Sequence, residues 1–301
     1  MNRDLSCRYR VVDVFTRQAL EGNPLAVFPD AAHLDAMTMQ RIARELNLPE
    51  TTFVLPVTRD DCVARVRIFT PAREMAFAGH PTLGTSFVLW EEGRLSGAGH
   101  AFNLEEQVGP VPVRIGRESP PLLWLGMPPV HDGPRFSRAA CARALGLGLQ
   151  DLLEFEPQLL SAGNPTIVVP LRNRDAVDRA RLDESGVRAL RDAGSEPCCV
   201  YVFARTAEGV YSRMFAPEYG IVEDPATGSA TGPLAVYMMR HGLLPANAAT
   251  TFVCEQGVKM GRRSLLHVEV RGARGSEDIF VGGHVTSVAS ATMHFVLEDS
   301  A

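Results

Sequence analysis

A chain of 301 residues is long for one average domain and suits two. With 30 basic against 35 acidic side chains and a pI near 5.9, it lacks the clustered basic excess that nucleic-acid binding needs. Hydrophobic residues at 46% and charged residues at 22% are ordinary globular usage and argue against a disordered chain.

From the start of the chain, residues 1–10 are polar and show no apolar signal region. No apolar run approaches the roughly 18 residues of a membrane span. A cytoplasmic protein without a membrane partner is therefore predicted. A strand and the turn Gly22-Asn23-Pro24 lead into the apolar run Leu25-Ala26-Val27-Phe28. An amphipathic helix is predicted over 35–46, then strands over 52–56 and 63–69. A Gly/Pro-punctuated loop follows and opens a helix over 82–92. That helix carries Leu83, Phe87, Leu89 and Trp90, is apolar on most faces, and so should be buried. The Pro- and Gly-rich stretch from Gly126 to Pro134 reads as a hinge. Beyond it the pattern starts again, with a helix over 184–192, strands over 199–204 and 209–215, and an apolar helix over 226–240. The tail, 279–297, alternates apolar positions, has no counterpart in the first half, and is expected to return as strand on the first domain.

The second half repeats the first in order. Gly22-Asn23-Pro24 recurs as Gly163-Asn164-Pro165, and Arg67-Ile68-Phe69-Thr70-Pro71 as Arg213-Met214-Phe215-Ala216-Pro217. His80-Pro81-Thr82-Leu83-Gly84-Thr85 recurs as Asp224-Pro225-Ala226-Thr227-Gly228-Ser229, and Glu106-Gln107 as Glu255-Gln256. A tandem duplication is the reading. The fold class is α+β, with two duplicated domains related by a pseudo-twofold axis, each a mixed β-sheet curled into a barrel around a central apolar helix. The domains are placed at 1–128 with the returning segment 280–301, and at 129–279, with the active site in the interdomain cleft.

Equivalent loops of two such halves would face one cleft, and each opens a buried helix. Helix N-termini present unpaired N–H groups and partial positive charge, which suits a carboxylate. Glycines at 79, 84, 228 and 232 permit close backbone approach, and Thr82, Thr85, Thr227 and Ser229 add hydroxyls. His80 in one half stands where Asp224 stands in the other, a plausible acid/base set because histidine titrates near neutrality. Glu50 sits between a helix end and a strand among uncharged neighbours, where burial would raise its pKa toward that of a general acid/base. Its counterpart falls near Glu196, as a structural leftover. Each residue alone also has an ordinary reading: Glu50 as a solvated loop residue, His80 as a turn residue, and Asp224 as an N-cap.

Other chemistries find little support. Lys259 is the only lysine, and Met260 after it rules out a P-loop Gly-Lys-Ser/Thr; a pyridoxal Schiff base would have to use that one residue. Gly146-Leu147-Gly148 lacks the later glycine of a dinucleotide fingerprint. The run from Gly228 to Gly232 is not a nucleophile elbow, and the eight histidines show no metal spacing. The six cysteines, Cys7, Cys62, Cys141, Cys198, Cys199 and Cys254, form no C-x-x-C pair and read as thiols in a reducing compartment.

Taken together, these stretches resemble the PhzF-like isomerase family of phenazine biosynthesis, which shares the diaminopimelate-epimerase fold. The matching residues are Asp13-Val14-Phe15-Thr16, Gly22 to Val27, Glu50-Thr51-Thr52-Phe53-Val54, Arg67 to Pro71, Phe77 to Gly84, Glu223 to Ala230, Glu255-Gln256-Gly257 and Met260-Gly261-Arg262. The resemblance implies cofactor-independent proton transfer at carbon on a small carboxylate-bearing substrate. It assigns the acid/base role to Glu50 and assisting roles to His80 and Asp224. Substrate contacts fall on Asn23, Gly79, Gly228 and Ser229, with no metal and no cofactor, and a homodimer is implied. The epimerase branch uses one cysteine at each helix-opening loop, and neither loop has one here. An amino- or hydroxy-acid epimerase working without thiols, and a non-catalytic metabolite-binding protein, are the alternatives.

Overall fold

The computed structural model describes residues 3–297 apart from 96, 98, 195, 245–248 and 273–277. The chain forms two compact units, Met1–Leu125 with Gly283–Ala301, and Gly126–Gly282. The first contains β1 (Arg3–Val14), β2 (Asn23–Phe28), α1 (Ala36–Leu46), β3 (Glu50–Leu55), β4 (Ala64–Phe69), β5 (Glu74–Met75), α2 (Gly79–Glu91), β6 (Ala101–Glu106), β7 (Gly109–Ile115) and β8 (Leu123–Gly126). The second begins with β9 (His131–Arg135), α3 (Arg138–Ala144), β10 (Gln158–Ser161), β11 (Pro165–Pro170), α4 (Arg174–Arg179) and α5 (Glu184–Asp192). It continues with β12 (Cys199–Arg205), β13 (Gly209–Ala216), β14 (Ile221–Asp224), α6 (Gly228–Arg240), β15 (Ala249–Gln256), β16 (Ser264–Arg271) and β17 (Asp278–Gly283). The last strand, β18 (Val285–Leu297), belongs to the first unit.

In the first unit β18 pairs antiparallel with β1, and β1 with β2. A parallel pair, β2 with β3, is followed by antiparallel β3–β4, parallel β4–β6, and antiparallel β6–β7 and β7–β8; β5 lies antiparallel on β4. Parallel neighbours require a crossover, and each has one: α1 joins β2 to β3, while β5 and α2 join β4 to β6. The second unit repeats this order. Antiparallel β9–β10 and β10–β11 precede parallel β11–β12, antiparallel β12–β13, parallel β13–β15, and antiparallel β15–β16 and β16–β17. Here α4 and α5 make the first crossover, and β14 with α6 the second.

The helices divide into two kinds. α1 is amphipathic: Met39, Ile42 and Ala43 pack with Phe28, Phe53 and Phe69, Asp35 caps its N-terminus through the Thr38 N–H at 2.8 Å, and Asn47 ends it at φ 49°. α2 is buried along most of its length and packs on β1, β2, β3 and β18. Its hydroxyls are satisfied inside the unit, Thr85 with Thr52 at 2.8 Å and Ser86 to the Thr82 carbonyl at 2.8 Å. Gly84 lets the helix lie against the sheet, since a Cβ there would come 2.5 Å from Leu25 and 3.0 Å from Val14. α6 occupies the same place in the second unit, on β10, β11 and β16.

Both central helices start elsewhere than sequence patterning predicts. α2 begins three residues earlier, at Gly79, because Pro81 sits in the first turn, where its missing N–H costs no intrahelical bond. α6 begins two residues later, at Gly228.

Candidate active site

In the first unit the turn before β2, the start of β3 and the start of α2 converge. Gly22, at φ 67°, makes that turn, and a Cβ on it would come 2.3 Å from the Val14 carbonyl oxygen. Buried Asn23 and Pro24 follow, and the parallel register sets Leu25 beside Glu50. His80, the second residue of α2, is 5% exposed, and its Nε2 lies 3.3 Å from Oε2 of Glu50. Burial lowers the His80 pKa to about 3, against a smaller opposing effect of its hydrogen bond to the Pro24 backbone. Proline has no N–H, so the ring donates to the Pro24 carbonyl. With Nε2 turned to Glu50, the donor is Nδ1. The imidazole is thus neutral near pH 7, with an accepting nitrogen aimed at a carboxyl group whose side chain is 13% exposed.

In the second unit Asp224 ends β14 and is 8% exposed. The Thr227 hydroxyl donates to its carboxylate. Gln256, at the end of β15, fixes the same loop: its Nε2 donates to the Asp224 carbonyl at 2.8 Å and to Thr227 Oγ1 at 3.0 Å, and its Oε1 accepts from the Thr227 N–H at 3.2 Å. Next to Asp224, Glu223 holds Arg213 through two bonds of 2.9 and 2.8 Å, and Arg213 donates to the carbonyls of Val177, Asp178 and Ala180. Pairing alone did not single out Gln256, Arg213 or Glu223. All three lie in or beside repeated motifs, which was the available signal.

The geometry inside each unit corrects the repeat's register. Thr82 bonds back to the Ala78 carbonyl at 2.8 Å, as Thr231 does to the Thr227 carbonyl at 2.9 Å, so α2 and α6 align through these threonines. His80 then matches Ser229, and Asp224 stands upstream of the helix. Contacts agree: the Gly-Asn-Pro turn of the first unit receives His80, and that of the second offers Asn164 Nδ2 to Ser229 Oγ at 3.4 Å. Glycine and threonine recur in both loops, so the sequence aligns at more than one offset. The counterpart of Glu50 is likewise Cys199, paired with Thr166 as Glu50 is with Leu25; Glu196 is exposed before the strand. The Cys199 thiol is pushed up to about 12, first by burial and further by nearby Cys198, Asp224 and Glu218.

The two central helices also differ from the outer ones in capping. α1, α3, α4 and α5 have side-chain N-caps from Asp35, Ser137, Asn173 and Asp183, whereas α2 and α6, preceded by Ala78 and Thr227, have none. No side-chain cap therefore occupies the first N–H groups of α2, at Gly79 and His80, or of α6, at Gly228 and Ser229. Among the described residues no cluster of three or more His, Cys, Asp or Glu side chains is placed to hold a metal ion, and no helix is long and apolar enough to cross a membrane.

Comparison with known proteins agrees with this architecture. The family model described as phenazine biosynthesis-like protein, PhzC-PhzF, matches residues 12–291. A trans-2,3-dihydro-3-hydroxyanthranilate isomerase of Pseudomonas aeruginosa is 40% identical over 267 residues, covering 88% of this chain and 91% of that protein. An uncharacterized isomerase of Mesorhizobium japonicum is 37% identical over 311 residues, covering 95% and 98%. The crystal structure of a PhzF-family phenazine biosynthesis protein of Bacillus anthracis superposes with a TM-score of 0.86 at 25% identity, over 96% of this chain and 99% of that one.

Proposed function

This chain belongs to the phenazine biosynthesis-like PhzC-PhzF family and is an isomerase, and from that premise we propose that Glu50 moves a proton between two carbons of a small carboxylate-bearing substrate. The observation that carries the reading is the 3.3 Å approach of neutral His80 to the Glu50 carboxyl at the opening of α2. The uncapped start of α2 would take the substrate carboxylate on the N–H groups of Gly79 and His80, near Asn23. Glu50 as carboxylate removes a proton from one carbon, and the resulting carboxylic acid returns it to another. No proton is gained or lost overall, and the scheme calls for no cofactor. Neutral His80 accepts a hydrogen bond from the acid form of Glu50 and offers none to the carboxylate. Asp224, Gly228 and Ser229 enter the reading as assisting and substrate-binding residues from the repeat and the resemblance.

The relatives support, as the substrate class, a small cyclic carboxylic acid of the trans-2,3-dihydro-3-hydroxyanthranilate kind. A homodimer is part of the reading and is tested by sedimentation. A cytoplasmic setting is also part of the reading. The deciding experiment is Glu50→Gln assayed on trans-2,3-dihydro-3-hydroxyanthranilate. General acid/base groups contribute about 10²–10⁴-fold, so kcat should fall by that factor with the melting temperature unchanged. Undiminished kcat would remove Glu50 from the role.

A further inference from the structure

We propose that Glu106, at the end of β6, is a positioning residue for the candidate site: a buried, neutral carboxylic acid that acts through Thr82 on the first turn of α2. Glu106 is 5% exposed. Its Oε1 lies 2.5 Å from Thr82 Oγ1, and its Oε2 is buried with no hydrogen-bond partner among the described residues. An ionised carboxylate would not be left so bare.

Proton counting leads to the same state. Thr82 Oγ1 also lies 2.8 Å from the Ala78 carbonyl, and one hydroxyl proton cannot serve both neighbours. The matching threonine of α6, Thr231, gives its proton to the Thr227 carbonyl. If Thr82 does the same toward Ala78, Glu106 must be the donor to Thr82, which requires it to be protonated. Burial raises the Glu106 pKa to about 8, opposed by the Thr82 bond.

The second unit supplies an independent comparison. Pairing of β4 with β6 sets Arg65 beside Glu105, and pairing of β13 with β15 sets Tyr211 beside Glu255. With Arg67 matched to Arg213, Glu106 therefore corresponds to Gln256, one residue away from the match that the sequence echo suggests. Gln256 is neutral, and it too holds the residues that open its unit's central helix. Both units thus place an uncharged donor at this position.

The charged and titratable groups on the elements around Glu106 are Glu50 on β3, Arg65 and Arg67 on β4, Glu74 on β5, His80 and, at the far end, Glu91 on α2, Glu105 on β6 and Arg114 on β7. Arg67 is taken up by Glu74 through two bonds of 2.7 Å, and Arg65 lies 3.9 Å from Glu105. His80 is already neutral. Ionising Glu106 would turn the Thr82 proton away from Ala78, release the carbonyl next to Gly79, and add negative charge where the substrate carboxylate is proposed to bind. Only this last step rests on the proposed function.

The test is Glu106→Gln, the residue the second unit uses, followed without substrate. The folded wild type keeps a proton that the unfolded chain releases above pH 4.5. Its folding equilibrium constant should therefore fall, relative to E106Q, by about tenfold per pH unit from about 4.5 to about 8. The NMR signal of the Gly79 amide should titrate with a midpoint near 8 in the wild type and stay still in E106Q. Parallel stability curves would overturn the neutral acid, and a Gly79 signal that behaves alike in both proteins would overturn the coupling to α2. Should E106Q not fold, Thr82→Val carries the same test, since it should also silence the Gly79 titration. These readouts stand whatever Glu50→Gln does to turnover. Where turnover is measured, KM should rise above pH 8 in the wild type and not in E106Q; equal profiles would contradict the positioning role.

Discussion

His80 is neutral because of where it stands, not because of a charged partner. Its folded pKa of about 3 lies below the 6.5 of an unfolded histidine, so between these values the unfolded chain binds the extra proton. Stability is therefore fully present above pH 6.5 and is lost as pH falls toward 3. Against a His80→Gln variant, the wild type should lose about 1.4 kcal/mol per pH unit across that window, read from urea unfolding at stepped pH. Parallel curves would mean that the ring is solvated. At this scale the sequence offered Glu50 and His80 as candidates, since a carboxyl among uncharged neighbours and a histidine between glycine and proline are local patterns, and the fold sets the two side chains 3.3 Å apart. The pairing of His80 with Asp224 was misread, because loops rich in Gly, Thr and Pro match at several offsets and only the backbonding of Thr82 and Thr231 fixes one. The state of Glu106 was not legible at all: it depends on burial and on a hydroxyl from another element.

Elements with a strong period were the most legible. The helix predicted over 184–192 is α5, and that over 35–46 is α1 with its cap Asp35 counted in. α4, six residues long, is too short to show a period, and β5 and β14 are too short to show alternation. α2 was recognised as buried from its lack of a polar face, but its start was hidden by a proline that reads as loop. Its close approach to the sheet depends on Gly84. Helix propensity alone would favour Gly84→Ala by about 1 kcal/mol. The crowding against Leu25 and Val14 should win, because overpacking a fitted core costs about 1–3 kcal/mol. A lower denaturation midpoint for G84A is expected; a higher one would show that the contact relaxes without cost.

For the whole chain, the duplication was the most informative signal, and it was legible because four motifs recur in the same order. Two mixed sheets with the same strand order, each carrying a buried helix on its second crossover, are what such a repeat implies. The last strand lies outside the repeat. β18 pairs with β1 from Val14↔Val285 to Arg3↔Leu297 and also packs on α2. A chain ending at Gly283 leaves β1 with one long open edge. Its β1 amides should then lose protection from hydrogen exchange, whereas protection equal to the full chain would show that β18 is dispensable. The central claim, that one carboxyl group carries hydrogen from carbon to carbon, is met most directly by proton NMR of the reaction of trans-2,3-dihydro-3-hydroxyanthranilate in deuterium oxide. With the wild type, the double bonds should shift and a new C–H or C–D centre appear at a second carbon, and with E50Q this should be slowed by about 10²–10⁴-fold. Exchange confined to the original carbon with the double bonds unmoved, or an unchanged rate in E50Q, would contradict it.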